Sequence, residues 1–230
     1  MIDGVFITGT DTGVGKTRIS VMLLKTLAAM GHSCIGMKPV SCGCEYTPDG
    51  WRHADALDLI NASTVEVLYD EVNPYALIEP IAPHLAAAHM NVEIDIERLK
   101  GQARALRAKA DFIVVEGAGG IVVPLRGSDS QADLMAALEL PILLVVGIRL
   151  GCLNHALLSA DYLRRHGLPI LGWVANRCDR DADFAEENIE TLERMLDMPL
   201  LGVMEYAPDG SDDRPGRSLK RGLESLLSRN

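Results

Sequence analysis

The sequence predicts an α/β protein with a mostly parallel β-sheet and helices on both faces. Two observations carry this. Apolar runs of strand length alternate with helix-period segments from one end of the chain to the other, the rhythm of βαβ units. The first apolar run ends in a glycine-rich turn that leads directly into a helical pattern. No internal repeat or low-complexity segment interrupts the alternation. At 230 residues, 48% of them hydrophobic, the chain supplies enough apolar surface for one sizeable core, and a single domain over residues 1–230 is the expectation.

The strands are read at Val5–Thr8, Ser33–Lys38, Phe112–Glu116, Ile142–Gly147, Ile170–Asn176 and Leu200–Met204. A helix is read from about Lys16 to Met30, with Val21, Leu24 and Leu27 on one face and Gly31 just past its end as a C-cap signal. A second spans about Asp95 to Lys109, with Asp95 as N-cap. The stretch from Thr64 to His89 carries Pro74, Pro80 and Pro83; it reads as irregular chain wrapping over a sheet edge or the site.

The net charge of −10 leaves no overall positive field to gather nucleic acid or anionic lipid, so neither is an expected partner. Met1–Gly4 runs straight into a short strand without the basic stretch and apolar core of a signal peptide, which points to the cytoplasm. The longest apolar run, Leu140 to Ile148, contains Pro141 and Gly147 and falls short of the roughly 20 residues of a membrane-spanning helix. It reads as a buried strand. Five cysteines (34, 42, 44, 152 and 178) are scattered without a CxxC pair, against a disulfide framework or a structural zinc site. The six histidines (32, 53, 84, 89, 155 and 166) show no metal-triad spacing.

The chemistry-bearing signal is the strand Val5–Thr8 followed by Gly9-Thr10-Asp11-Thr12-Gly13-Val14-Gly15-Lys16-Thr17 and a helix. Glycines let backbone N–H groups close around phosphate oxygens, the helix N-terminus adds partial positive charge, Lys16 reaches the terminal phosphates and the Thr17 hydroxyl suits Mg2+. The strict spacing puts a glycine where this chain has Thr10, with Gly9 one step earlier, so the loop is longer than the common form. Motif and context together indicate a P-loop NTPase-like fold that takes a nucleotide and Mg2+. Glu116 ends the third strand ahead of Gly117-Ala118-Gly119-Gly120, small residues that allow close backbone approach, and its carboxylate suits the metal. Lys38 follows the second strand and precedes Pro39, placing a cation where phosphoryl transfer develops negative charge. Asp55, taken alone, reads as a helix N-cap.

With these blocks the sequence resembles the dethiobiotin synthetases: GTDTGVGKT, GMKPVSCG, HADAL, NPY at 73 to 75, EPIAPH at 79 to 84, VVEGAGG, RLGCLNH and GWVAN at 172 to 176 keep their order over roughly the first 206 residues. The resemblance implies that 7,8-diaminononanoate takes up CO2 as a carbamate, that the carbamate attacks the γ-phosphate of ATP, and that the second amine closes the ring. It implies Lys16 and Lys38 as the catalytic cations and Thr17, Asp55 and Glu116 around Mg2+. Gly13, Val14, Gly15, Lys16, Thr17, Asp55, Glu116, Gly117, Ala118 and Gly119 would bind the nucleotide. Asn176 would recognise adenine, with Arg177 beside it and Glu205, Tyr206 and Ala207 bordering the base. Thr12, Lys38, Ser41 and Cys42 would meet the substrate. The turn Gly151, Cys152, Leu153 and Asn154 would open a helix whose N–H groups take the substrate carboxylate of the partner subunit, so a homodimer with composite sites is implied. The chain departs from the family pattern at Cys42, where serine is usual, at Ala82, where a polar residue is expected, and at Glu205, where proline is common.

Three other classes compete. One is an ATP-driven switch of the partitioning or membrane-site type, for which Leu219, Leu223, Leu226 and Leu227 beside Lys220 and Arg221 would form a surface helix. The others are an amidotransferase synthetase, which would need a further domain, and a small-molecule kinase.

Overall fold

The computed structural model describes residues 2–180 and 184–207. The leucine-rich segment at 219–227 lies outside them. The main sheet has six strands: β1 (Gly4–Gly9), β2 (Cys34–Met37), β3 (Phe112–Glu116), β4 (Ile142–Ile148), β5 (Ile170–Arg177) and β6 (Leu200–Met204). Their spatial order is β6-β5-β4-β1-β3-β2, and every neighbouring pair is parallel. The expected fold class is the observed one. The strands β1, β3 and β4 are buried at every position, as continuous apolar runs covered on both faces must be.

Two apolar layers form because successive strand residues face opposite sides. Val5 and Ile7 of β1 join Ile19, Leu24 and Leu27 of helix α1 (Lys16–Ala29) on one face. Phe6 joins Met37, Val115, Leu144 and Trp173 on the other. Helix α1 ends in a Schellman turn: Gly31 N donates to Ala28 O at 3.0 Å and His32 N to Leu27 O at 3.1 Å, with Gly31 at φ +89.

Seven further helices surround the sheet: α2 (Ala54–Ala62), α3 (Tyr69–Val72), α4 (Pro83–His89), α5 (Ile96–Arg107), α6 (Gln131–Leu138), α7 (Cys152–Arg165) and α8 (Ala185–Met195), counted among the described residues. Asp95 caps α5 as expected, accepting from Glu97 N and Arg98 N. Asp55 does not cap α2. The N-cap is His53, whose Nδ1 accepts from Asp55 N at 3.2 Å, so the aspartate stands in the first turn with its carboxylate released for other contacts.

The stretch read as irregular is more ordered than its prolines suggest. Between α3 and α4, Tyr75–Leu77 pairs in parallel with Val40–Cys42 in a two-stranded ribbon. Pro83 stands at the first position of α4, where a missing N–H costs nothing.

From β1 the chain moves out to β2, returns to β3, and then crosses to β4 on the other side of β1. This reversal opens a crevice beyond the carboxyl end of β1, the place where open parallel sheets bind ligands.

Candidate active site

A cavity of about 780 Å³ lies at that crevice, lined by P-loop residues, by Lys38, Ser41 and Cys42 after β2, by His53 and Asp55 at the start of α2, by Glu116 with the loop after β3, and by 80–83 leading into α4. Residues far apart in sequence thus meet at one sheet edge.

The loop between β1 and α1 is shaped by its glycines. Gly15 is the N-cap of α1 at φ 91, and a Cβ there would stand 2.2 Å from Asn176 Nδ2. Both the backbone angle and the close approach exclude a side chain. Val14 is buried, and its carbonyl accepts from Asn176 Nδ2 at 2.9 Å. Lys16 Nζ donates to Asp11 O at 3.0 Å. Burial, then repulsion from Lys38, lowers the Lys16 pKa to about 8.

At the cavity floor, Lys38 Nζ lies 2.5 Å from Glu116 Oε1 and 2.8 Å from Asp55 Oδ2. Lys38 is buried and Glu116 fully so. Burial alone pulls a lysine down; here the charges of Glu116 and Asp55 outweigh it and hold the Lys38 ammonium above its ordinary range. Burial pushes the Asp55 carboxyl up, and the Lys38 charge overcomes this to hold it below its usual range. Thr17 Oγ1 donates to Glu116 Oε1 at 2.8 Å, tying the P-loop helix to the end of β3.

The oxygens of Thr17, Asp55 and Glu116 fit Mg2+. Glu116 Oε2 is buried without a hydrogen-bond partner among the described residues, a lone-pair donor left over after Lys38 and Thr17 have taken Oε1. The described residues form no cluster of three His, Cys, Asp or Glu able to cage a metal by themselves. That suits an ion bound by one or two carboxylates together with phosphate oxygens.

Not every residue singled out in the sequence reaches this cavity. Thr12, Gly13, Gly15, Lys16, Thr17, Lys38, Ser41, Cys42, Asp55, Glu116, Ala118 and Gly119 line it. Ser41 is buried with its Oγ donating to Asn73 Oδ1 at 2.8 Å, so its proton is already committed. Asn176, Arg177 and Glu205 form a separate group beside α1. Arg18 Nη1 donates to Asn176 Oδ1 at 3.1 Å and to Glu205 O at 2.7 Å, and Arg177 Nε lies 3.4 Å from Glu205 Oε2. Tyr206 and Ala207 follow, half-buried. The Gly151–Asn154 turn opens α7, with Gly151 at φ 93, and lies outside the cavity lining.

Sequence reasoning gave no role to Arg18, Asn73 or Gln131. Asn73 Nδ2 donates to Lys38 O at 2.6 Å while its Oδ1 accepts from Ser41 and Tyr69, so it fixes the chain that presents Lys38. Its place in the NPY block was the available signal. Arg18 sits one position beyond the P-loop pattern and Gln131 lies in no recognisable pattern, so neither carried a signal.

Fold and site together define a P-loop NTPase-like protein. Its solved relatives in shape include the septum site-determining protein MinD of Pyrococcus horikoshii, in complex with Mg-ADP, at TM-score 0.62 and 19% identity over 98% of this chain and 94% of that one. A ParA family ATPase of Chlorobium tepidum superposes at TM-score 0.58 and 16% identity, covering 97% and 98% of the two chains. The family described as AAA domain matches residues 3–214. The sequence is 50% identical over 204 residues to the ATP-dependent dethiobiotin synthetase of Xanthomonas oryzae (89% of this chain, 91% of that protein) and 46% identical over 228 residues to that of Vibrio parahaemolyticus (99% of each). The chain belongs to the ATP-dependent dethiobiotin synthetase family.

Proposed function

We propose that the protein converts 7,8-diaminononanoate, CO2 and ATP to dethiobiotin, ADP and phosphate. The observation that carries this reading is the buried Lys38 ammonium between Asp55 and Glu116, facing the same cavity as the P-loop. A nucleotide switch needs the loop; it has no evident use for a second buried lysine beside a cavity wide enough for a small molecule.

In this reading one substrate amine attacks CO2 and loses a proton, giving a carbamate. A carbamate oxygen attacks the γ-phosphorus, ADP leaves, and a carbamic–phosphoric anhydride results. The second amine then attacks the carbamate carbon, expels phosphate and loses its proton. Lys16 and Lys38 hold the carbamate and γ-phosphate oxygens as charge shifts between them. Thr17, Asp55 and Glu116 would hold Mg2+, which would supply neutralisation of phosphate charge. Thr12 and the segment at Ser41 and Cys42 border the diamine, and the loop at Gly117, Ala118 and Gly119 borders the phosphates together with Gly13, Val14 and Gly15.

Asn176 keeps one Oδ1 lone pair beyond its bond from Arg18, and its Nδ2, besides donating to Val14 O, makes only a long contact to Cys178 Sγ at 3.9 Å that an adenine edge can replace, with Arg177, Glu205, Tyr206 and Ala207 around the base. The Gly151–Asn154 turn is assigned to the substrate carboxylate of a partner subunit in a homodimer. Fully exposed Leu150 and largely exposed Leu158 beside the turn support a covered face there. Among the described residues no helix is long and apolar enough to cross a membrane.

The test follows an oxygen atom. With 18O-labelled bicarbonate, attack of the carbamate oxygen on phosphorus places one label in the released phosphate. Unlabelled phosphate, alongside labelled cyclic urea, would contradict the anhydride route.

A further inference from the structure

We propose that Gln131 is a positioning residue that presets the Gly117–Gly120 turn as an anion cradle for the reacting carbamate and phosphate oxygens; the inference rests on the synthetase reading above and deepens it.

Gln131 is 2% exposed at the first position of α6, yet its side-chain amide is directed at the turn and at Thr8 of the neighbouring strand β1. Its Oε1 accepts from Ala118 N at 2.5 Å. Its Nε2 donates to Gly120 O at 2.6 Å and to Thr8 Oγ1 at 3.3 Å. The residue is itself fixed at the main chain, where Gln131 N donates to Val123 O at 2.8 Å. The helix start is held by Asp133, whose Oδ2 accepts from Ser130 N at 2.7 Å and Ser130 Oγ at 2.8 Å. A buried polar side chain with every group paired specifies one arrangement of its partners.

The arrangement it selects matters for anions. Gly117 N is taken by Ile7 O and Ala118 N by Gln131. The Gly120 carbonyl, an oxygen that would repel a phosphate, is tied down by Gln131 Nε2. Gly119 and Gly120 retain N–H groups without a partner among the described residues. Gly119 is at φ +63 and lines the cavity, and successive uncommitted N–H groups around a left-handed residue form an anion-binding nest. The nest lies against the P-loop: a Cβ on Gly120 would stand 3.6 Å from Gly9 O, and one on Gly119 3.4 Å from Thr12 Oγ1. Gly117 has to be glycine for the same reason, since a Cβ there would meet Gln131 Oε1 at 2.5 Å.

Gln131→Met keeps length and removes all three hydrogen bonds, whereas Gln131→Glu keeps the acceptor for Ala118 N and removes the donor to Gly120 O. In the methionine variant kcat is expected to fall roughly 10- to 100-fold, as on loss of groups that orient reacting-site contacts, with ATP affinity changed less than about threefold. Amide hydrogen exchange of a peptide spanning 117–123 should quicken, and ATP with Mg2+ should protect it less than in the wild type. The glutamate variant should fall between. Wild-type kcat in both variants would overturn the proposal, as would a loss of ATP affinity equal to the loss of kcat. If the methionine variant does not fold, the glutamate variant decides by the same two readouts. Absence of diamine-dependent turnover in the wild-type protein sinks the underlying reading instead, and exchange at 117–123 then still tests the positioning itself.

Discussion

Lys38 Nζ stands 2.5 Å from Glu116 Oε1 while the other oxygen of the same carboxylate has no protein partner. One glutamate thus anchors the buried cation and keeps a donor free for a metal. The pair also divides the labour of two elements, since Lys38 follows β2 and Glu116 ends β3, strands that lie side by side in the sheet.

Lys38→Ala is expected to lower kcat by about 100- to 1,000-fold, the range seen when a preorganised transition-state contact is removed. ATP binding should persist, because the P-loop is untouched. Glu116 loses its ion-pair partner in a fully buried position, so the variant should also be destabilised by about 3 kcal/mol or more. Single-turnover kinetics with nucleotide binding separates the two effects, and full turnover would refute the assigned role.

Thr17→Val removes a hydroxyl that donates to Glu116 Oε1 at 2.8 Å while preserving shape. The Mg2+ concentration for half-maximal rate should rise roughly tenfold or more. A magnesium titration at saturating ATP checks this, and an unchanged midpoint would remove Thr17 from the ion's shell.

Much of the site was legible because its chemistry is written in contiguous blocks. The P-loop needs a strand, glycines and Lys-Thr in immediate succession, and Glu116 and Lys38 each sit at the end of an apolar run. Asp55 taken alone reads as a cap because an aspartate ahead of an apolar stretch ordinarily is one, whereas His53 supplies the acceptor here, and only the family resemblance pointed this aspartate to the metal. Gln131 was invisible for a different reason. Its role depends on α6 beginning next to the β3 loop, a tertiary fact with no local pattern. The stretch around Tyr75–Leu77 was unreadable because a three-residue strand pairs with an equally short one far earlier in the chain.

Gly15→Ala should abolish nucleotide binding at concentrations that saturate the wild type. The residue is left-handed, which costs a side chain about 1–2 kcal/mol, and its Cβ would meet Asn176 Nδ2 at 2.2 Å. Displacing Asn176 breaks its bond to Val14 O and reshapes the loop. Equilibrium binding of a fluorescent ATP analogue reads the outcome.

Burial, then the neighbouring Cys44, pushes the Cys42 thiol from its ordinary 9.0 up to about 11. The folded protein therefore keeps this proton where the unfolded chain loses it. The stability contribution is complete below about pH 9 and lost as pH rises through about 11. Iodoacetamide labelling of Cys42 at pH 8 should be slow in the native protein and rapid after denaturation. Cys42→Ser should lose less stability than the wild type between those pH values.

The central claim is tested most directly by ADP release from purified protein with ATP, Mg2+ and bicarbonate, with and without 7,8-diaminononanoate, combined with mass detection of the product. ADP release that depends on the diamine and yields the cyclic urea is the predicted result. Turnover indifferent to the diamine but stimulated by lipid or DNA would contradict it and favour an ATP-driven switch.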